Sequence, residues 1–201
     1  MANIITLVRF PLLFVYVIGL FFGSPAVTLW CVLFIILIIL MDMVDGIIAR
    51  ARSEVSLLGS ALDIATDRTL EIILWVVFAY LGLIPIIIPI IIITRGTTVD
   101  ALRAVGMSSG LPPFDQLRSP LSRFLVASKF MRSTYGIVKA IAFAMLTLAL
   151  GLQRSFSPWA DLTLTIAVLF TWLAVVYSLA RGLPVIVEGY SLLKNPPSIR
   201  K

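Results

Sequence analysis

The sequence has no histidine and a single cysteine, Cys31, among its 201 residues. The missing histidine excludes Ser-His-Asp and Cys-His nucleophilic catalysis and the usual zinc sites. One cysteine inside an apolar run supports neither a disulfide nor a metal cluster. A glycine-rich phosphate loop of the nucleotidase type is also missing. Carboxylates are therefore the remaining candidates for chemistry.

Charged residues are scarce as well, at 13% of the chain against 60% hydrophobic residues. Between Phe10 and Met41 there is no aspartate, glutamate, lysine, arginine or histidine. This is more apolar surface than one small soluble core can hide. We also expect no cleavable signal peptide, because the first apolar stretch leads directly into a second without a small-residue cleavage site. The composition predicts an integral membrane protein.

The apolar stretches predict an all-α protein with six transmembrane helices in a single domain, residues 1–201. Breaks such as Gly23-Ser24-Pro25 separate the spans, and Pro184 is expected to end or kink the last one. The predicted spans are 4–22, 26–49, 57–82, 84–106, 133–152 and 159–181.

Lysine and arginine fall mainly in alternate connections, which indicates orientation. The loops 50–56 and 107–132 and the C-terminal tail carry most of them, whereas the other connections hold only Arg154. Both termini and both basic loops should therefore face the cytoplasm, in a multi-pass protein of the cell membrane. The net charge of +6 is then a topology signal and an attraction to anionic lipids, so we expect no nucleic-acid partner.

Four aspartates form two pairs with helical spacing. Asp42 and Asp45 lie near the end of the second predicted helix, and Asp63 and Asp67 lie near the start of the third. Each pair shares a helix face, and an antiparallel hairpin brings the two pairs to equal depth. Gly46 and Gly59 remove side chains nearby and so permit close approach of the helices and a ligand.

A simpler interpretation is that these aspartates are ordinary helix-end charges paired with arginines. Four carboxylates at matched depth would repel one another, however, and each costs up to about 3 kcal/mol at the membrane centre. Mg²⁺ or Mn²⁺ would relieve that repulsion, since hard divalent cations prefer oxygen ligands. Two-metal sites of this kind serve phosphate chemistry, so two ions are expected.

The pattern Asp42-x2-Asp45-Gly46-x2-Ala49-Arg50-x8-Gly59-x3-Asp63-x3-Asp67 resembles the signature of the CDP-alcohol phosphatidyltransferases, and the length and helix number extend the resemblance over the whole chain. The resemblance implies that Asp42, Asp45, Asp63 and Asp67 bind two metal ions and that Asp67 is also the general base. It further implies nucleotide binding by Asp45, Gly46, Ala49, Arg50 and Gly59.

The reaction implied by the resemblance moves a phosphatidyl group from a CDP-linked lipid to the hydroxyl of a small acceptor and releases CMP. The family also implies a homodimer. Bound metals would neutralise the pyrophosphate and the charge on the leaving CMP, while a nearby carboxylate takes the hydroxyl proton. A site between membrane helices suits a donor whose chains stay among the membrane lipids.

The segment "NIITLVR" at 3–9 and the size resemble phosphatidylglycerophosphate synthases, so glycerol 3-phosphate is the expected acceptor. Ile64 and Arg68 depart from that pattern, where those enzymes usually have proline and lysine. The segment "RGTTVDALR" departs from it too. Inositol phosphate, serine and archaeal ether-lipid substrates therefore remain open.

A phosphorylated acceptor is favoured by cations on or beside the fourth and fifth predicted helices. Arg95 and Lys139 fall inside predicted spans, whereas Lys129 and Arg132 also fit the positive-inside bias equally well. Asp100 and Glu71 could pair with these cations or contact acceptor hydroxyls, and Arg68 is interpreted as structural. The acceptor-binding candidates are Arg95, Arg103, Lys129, Arg132 and Lys139.

A cation transporter is the alternative from another class of function. It predicts carboxylates near the middle of the bilayer and two halves related by symmetry. Here the aspartates lie near one predicted membrane face, and the sequence shows no second copy. An enzyme is therefore the preferred interpretation.

Metal dependence is the first testable consequence. We expect excess chelator to abolish CMP release from a CDP-linked lipid, and Mg²⁺ or Mn²⁺ to restore it, because the clustered carboxylates need a counter-charge. The measurement is CMP release before and after metal is added back. Full release in excess chelator would contradict the metal assignment.

Overall fold

The computed structural model describes the backbone of residues 2–51, 57–108 and 119–194, and the side chains of 7–41, 59, 62–105 and 119–190. In these ranges the chain forms seven α-helices and no strand, which confirms the all-α class. The helices are α1 (Ala2–Phe22), α2 (Pro25–Ala51), α3 (Leu57–Tyr80), α4 (Ile87–Ser108), α5 (Pro120–Ala127), α6 (Lys129–Arg154) and α7 (Ala160–Lys194).

Two helices of the described chain are long and apolar enough to cross a membrane, α6 and the part of α7 from Ala160 to Tyr190. Shorter apolar helices, Leu7–Phe22 and Pro25–Met41, lie within α1 and α2. Many large apolar side chains are exposed on the helices, as expected for a surface that faces lipid rather than water. These features indicate a membrane protein, and the count of six crossings stays a prediction.

Of the two alternatives expected at Pro184, an end of the helix is wrong, because α7 continues through Pro184 to Lys194, and a kink there stays a prediction. Proline costs a helix one hydrogen bond and some steric strain, and packing can offset that cost. Val185, directly after the proline, is buried in a cluster with Val99 of α4 and Val126 of α5. These contacts favour a continuous helix.

The short helix α5 is amphipathic. Leu121 and Phe124 are exposed, whereas Ser122 and Val126 are buried. The carboxylate of Glu188 on α7 accepts hydrogen bonds from Ser122 Oγ at 2.5 Å and from the backbone N–H of Ser119 at 3.4 Å. Residues 109–118 of the predicted loop lie outside the described residues, as do 52–56 and 195–201.

The chain divides into two compact units. The first unit comprises residues 1–86 and 140–170, and the second comprises 87–139 and 171–201. Along the sequence, α6 and α7 each contribute one part to each unit.

In the first unit, α1 and α3 both pack on α6 through large buried side chains. Thr147 Oγ1 donates to the carbonyl of Phe143 at 2.7 Å, so the hydroxyl of Tyr16, 2.6 Å from Thr147 Oγ1, is the donor between these two side chains. The rings of Trp75 and Phe143 lie 4.5 Å apart between centroids. Tyr16 and Trp75 are fully buried, which places the core of this unit between the three helices.

The turn between α1 and α2 is held by Arg154, the last residue of α6. Its guanidinium donates to the carbonyl oxygens of Leu20 at 2.6 Å and Gly23 at 3.3 Å, and to Thr28 Oγ1 at 2.8 Å. The carbonyls at the end of a helix have no partner within the helix, so a cation there caps them and complements the helix dipole. Arg154 thereby joins α1, α2 and α6.

Exposed aromatic side chains surround this same end of the first unit. The ring of Tyr80, the last residue of α3, lies 5.5 Å from that of Phe21 at the end of α1. The exposed aromatics here are Phe22, Trp30, Tyr80, Phe156 and Trp159. Such a belt is typical of a membrane–water interface.

Replacing Arg154 should destabilise the first unit. Arg154→Met keeps an apolar stem but removes the guanidinium and its three hydrogen bonds, and we expect a loss of roughly 2–4 kcal/mol and a lower Tm in detergent. Lys129→Met, which removes an exposed cation at the first residue of α6, is the control and should change stability by less than about 0.5 kcal/mol. Equal Tm values for the two variants would show that the Arg154 contacts contribute no stability.

Candidate active site and phosphate-binding cluster

The described carboxylates of the predicted site lie on α3 in the first unit. Asp63 and Asp67 are one turn apart on one helix face, with Asp63 half-buried and Asp67 48% exposed. Gly59 lies one turn before Asp63. The backbone of Asp42, Asp45, Gly46, Ala49 and Arg50 is helical within α2, but their side chains lie outside the described residues.

The aspartates of α3 fit the expected metal chemistry. They offer hard oxygen donors on one face, and neither side chain is fully buried. Among the side chains that the structure describes, no group of three or more metal-ligating residues is found. Since two of the four predicted ligands are not among them, the four-aspartate site and its role in nucleotide binding stay predictions.

A contact that sequence reasoning missed connects α1 to this site. Arg9 Nη2 donates to Asp67 Oδ1 at 2.9 Å, and the arginine side chain is only 3% exposed. Arg9 belongs to the "NIITLVR" segment, which had indicated a family resemblance but no partner. The two residues are 58 positions apart, so no local spacing predicts their contact.

Glu71, one turn after Asp67, is buried and pairs with Arg68 at 3.8 Å. This pair supports the interpretation of Arg68 as structural. It places Glu71 beside a cation of its own helix, whereas the sequence had suggested the cations of later helices.

In the second unit, cations from three helices converge around Tyr135 of α6. Lys139 Nζ lies 4.6 Å and Arg181 Cζ lies 5.4 Å from the centre of the Tyr135 ring, close enough for cation–π contacts. Arg181 of α7 is also within electrostatic range of three further arginines, Arg95 and Arg103 on α4 and Arg132 on α6. We call these five residues the cation cluster: Arg95, Arg103, Arg132, Lys139 and Arg181.

The structure thus brings together four of the five predicted acceptor-binding residues. The fifth, Lys129, is exposed at the start of α6 and is not among the charges that act on Arg181. Sequence reasoning missed Arg181 because it lay at the expected end of the last helix. A cation inside a long apolar helix was the available signal, since such residues are costly and usually functional.

Like charges that converge repel one another, and a bound anion relieves the repulsion. Guanidinium groups match phosphate oxygens because they offer two parallel donors in one plane. The Nε atom of Arg181 is buried without a hydrogen-bond partner among the described residues. The cluster is therefore suited to a phosphate group.

Gly182 on α7 leaves space for the side chain of Arg95. A Cβ atom added at Gly182 would lie 2.7 Å from Cγ of Arg95 and would collide with its Nε atom as well. Any residue with a Cβ atom would therefore displace Arg95, whereas glycine does not. Two turns later Gly189 faces Leu102, so α7 presents small residues to α4 along this face.

These features define a helical membrane protein with carboxylates suited to metal binding and a cation cluster suited to phosphate. The chain belongs to the CDP-alcohol phosphatidyltransferase family, whose model matches residues 1–180. The family generally depends on a divalent metal.

A curated relative is the archaetidylinositol phosphate synthase of Aeropyrum pernix. It is 40% identical over 88 residues, which cover 44% of this chain and 43% of the relative. The match spans less than half of either protein, so it agrees with the family without establishing the acceptor.

Gly182→Ala should displace Arg95 and weaken use of a phosphorylated acceptor. Overpacking at a tight contact costs about 1–3 kcal/mol of folding stability. A displaced Arg95 would lose a charge-assisted hydrogen bond to the acceptor, worth about 1.5–3 kcal/mol, so we expect acceptor KM to rise roughly tenfold or more. Gly136→Ala on α6 is the matched control, since its Cβ would meet no atom within 4 Å. The test compares acceptor KM and Tm for both variants. Equal acceptor KM values would mean that Gly182 does not position Arg95.

Proposed function

We propose that this protein transfers a phosphatidyl-type group from a CDP-linked lipid to the hydroxyl of a phosphorylated alcohol, with release of CMP. The observation that carries the proposal is the cation cluster around Tyr135. Cations that converge from three helices favour an acceptor that brings an anionic group to them.

Inositol phosphate is the first candidate acceptor. The name of the Aeropyrum pernix relative refers to an inositol phosphate product, whereas glycerol 3-phosphate is supported by the resemblance of residues 3–9 and of the chain length alone. Glycerol 3-phosphate stays a prediction because it carries the same phosphate group. Serine is the weakest candidate, since it offers the cluster no phosphate. The relative's name also refers to an archaetidyl lipid, so an ether-linked CDP donor should be tested beside CDP-diacylglycerol.

The donor side of the proposal rests on the aspartates. Asp42, Asp45, Asp63 and Asp67 would hold two Mg²⁺ or Mn²⁺ ions, and Gly46, Ala49, Arg50 and Gly59 would join Asp45 in binding the nucleotide. When bound, the ions would supply neutralisation of the pyrophosphate and of the charge on the departing CMP. The half-exposed position of Asp67 and its place one turn from Asp63 support these assignments.

Asp67 is also proposed as the general base. Its carboxylate would take the proton of the acceptor hydroxyl as the oxygen attacks the phosphorus of the donor. One bond forms to the acceptor oxygen, the bond to CMP breaks, and CMP leaves with the electron pair. No covalent enzyme intermediate is required, because the hydroxyl itself is the nucleophile.

The proposed topology is a single domain with six membrane crossings in the cell membrane and both termini in the cytoplasm. In the first unit, α2 rises from the aromatic belt towards Asp42, which lies 17 residues, or about 25 Å, further along the helix. The hydrocarbon core of a bilayer is about 30 Å thick, so the aspartates would lie near the opposite, cytoplasmic interface. A homodimer remains part of the proposal through the family resemblance.

An acceptor panel tests the proposal. Purified protein should release CMP from a diacyl or ether-linked CDP lipid with inositol phosphate or glycerol 3-phosphate, and much more slowly with serine. Arg181→Ala should raise the acceptor KM roughly tenfold to a hundredfold, because it removes charge-assisted hydrogen bonds. Lys129→Ala is the control and should change the KM by less than about twofold.

The proposal would be wrong if serine outperformed both phosphorylated acceptors. It would also be wrong if Arg181→Ala and Lys129→Ala had the same acceptor KM as the unmodified protein. Donor KM should stay unchanged in both variants, which separates the acceptor site from the nucleotide site.

A further inference from the structure

We propose that Arg9 is a positioning residue that fixes the carboxylate of Asp67 in the orientation needed for turnover. This inference rests on the proposed role of Asp67. Arg9 Nη2 lies 2.9 Å from Asp67 Oδ1, and the contact joins α1 to α3 across the first unit.

Arg9 and Asp67 differ in burial, and this difference makes Arg9 the fixed partner and Asp67 the one that it orients. Arg9 is 3% exposed, whereas Asp67 is 48% exposed. A buried guanidinium has already lost its rotamer freedom to packing, so it offers a fixed donor to the carboxylate. The carboxylate keeps access to ligands while one of its oxygens is fixed.

Arg9 is the polar end of an otherwise apolar helix face. Leu13, Tyr16 and Leu20 follow it at helical spacing, and all three are fully or almost fully buried. The hydroxyl of Tyr16 is anchored to Thr147 at 2.6 Å. The backbone that carries Arg9 is therefore held by the core of the first unit.

Asp67 occupies the corresponding place on α3. Leu70 and Leu74, three and seven residues later, are buried on the same side of the helix. The contact between Arg9 and Asp67 therefore lies where the apolar faces of α1 and α3 give way to the half-exposed aspartates. A residue that served packing alone would be apolar at position 9, because burying a charge carries a desolvation cost.

The chemical consequence is directional. A carboxylate with one oxygen fixed by a rigid donor presents its other oxygen in a restricted set of directions, whereas a carboxylate without that contact rotates about its terminal bond. Proton transfer depends on such alignment, and a small misplacement of a reacting group costs up to about a hundredfold in rate. Loss of Arg9 should therefore reduce kcat more than it weakens binding of either substrate.

The experiment compares Arg9→Met, Arg9→Lys and Asp67→Asn with the double variant Arg9→Met/Asp67→Asn. We expect Arg9→Met to lower kcat roughly tenfold to a hundredfold while both KM values change by less than about threefold. Arg9→Lys should recover part of kcat, because it restores a cationic donor without the second planar N–H. The double variant should turn over no more slowly than Asp67→Asn alone, since the arginine acts through the aspartate.

The same four proteins give a readout that does not require activity. Tm values in detergent, without substrate, should show coupling between positions 9 and 67. The Tm of the double variant should fall by less than the sum of the two decreases in the single variants. If Arg9→Met does not fold, Arg9→Gln is tested instead, because it keeps much of the packing and an amide NH2 donor without the charge. Its kcat should also fall by about tenfold or more.

Wild-type kcat in Arg9→Met or Arg9→Gln would overturn the proposal, whatever the change in Tm. Additive losses of kcat in the double variant would overturn it too, because Arg9 would then act independently of Asp67. Absence of CMP release by the unmodified protein with every acceptor would instead refute the proposed function. In that case the Tm coupling would still decide whether Arg9 holds Asp67.

Discussion

Charged side chains in a largely apolar helical protein persist where a partner offsets the cost of removing them from water. Two arginines of the first unit illustrate this constraint. Arg154 donates to the carbonyls that end α1, and Arg9 donates to Asp67 on α3. The first contact closes one end of the unit. The second lies at the predicted reaction centre. The need to pair a charge away from water therefore stabilises the fold at Arg154 and, as proposed, orients a reacting group at Arg9.

The cation cluster of the second unit satisfies the constraint differently. Its charges have the same sign, and the ring of Tyr135 contacts two of them. An aromatic face attracts cations, but it does not remove the repulsion among several of them. A phosphate group on a substrate would add negative charge beside these cations. Under the proposed function, the repulsion among the cations would be relieved when the acceptor's phosphate binds. The transfer reaction proposed from the family of the chain would use that phosphate to recognise the acceptor.

Local patterns predicted much of this architecture. Apolar runs and their breaks predicted six long helices near their observed positions, and helical spacing placed Asp63 and Asp67 on one face. The stop at Pro184 was wrong because the packing of Val185, which depends on α4 and α5, was not available from the sequence around the proline. Arg9 was missed for the same reason, since its partner Asp67 lies on another helix and contacts between distant segments have no local period. Arg181 was missed because it lay at the expected end of the last helix.

The central claim is that the protein recognises its acceptor through the acceptor's phosphate. Inositol phosphate and inositol share the ring and its hydroxyl groups and differ in that one group, so they form the most direct comparison. The measurement is the rate of CMP release from a CDP-linked lipid at equal concentrations of the two acceptors. The account predicts release with inositol phosphate at a rate at least about a hundredfold above that with inositol, since several charge-assisted hydrogen bonds would be lost together. Equal rates with the two acceptors would contradict it.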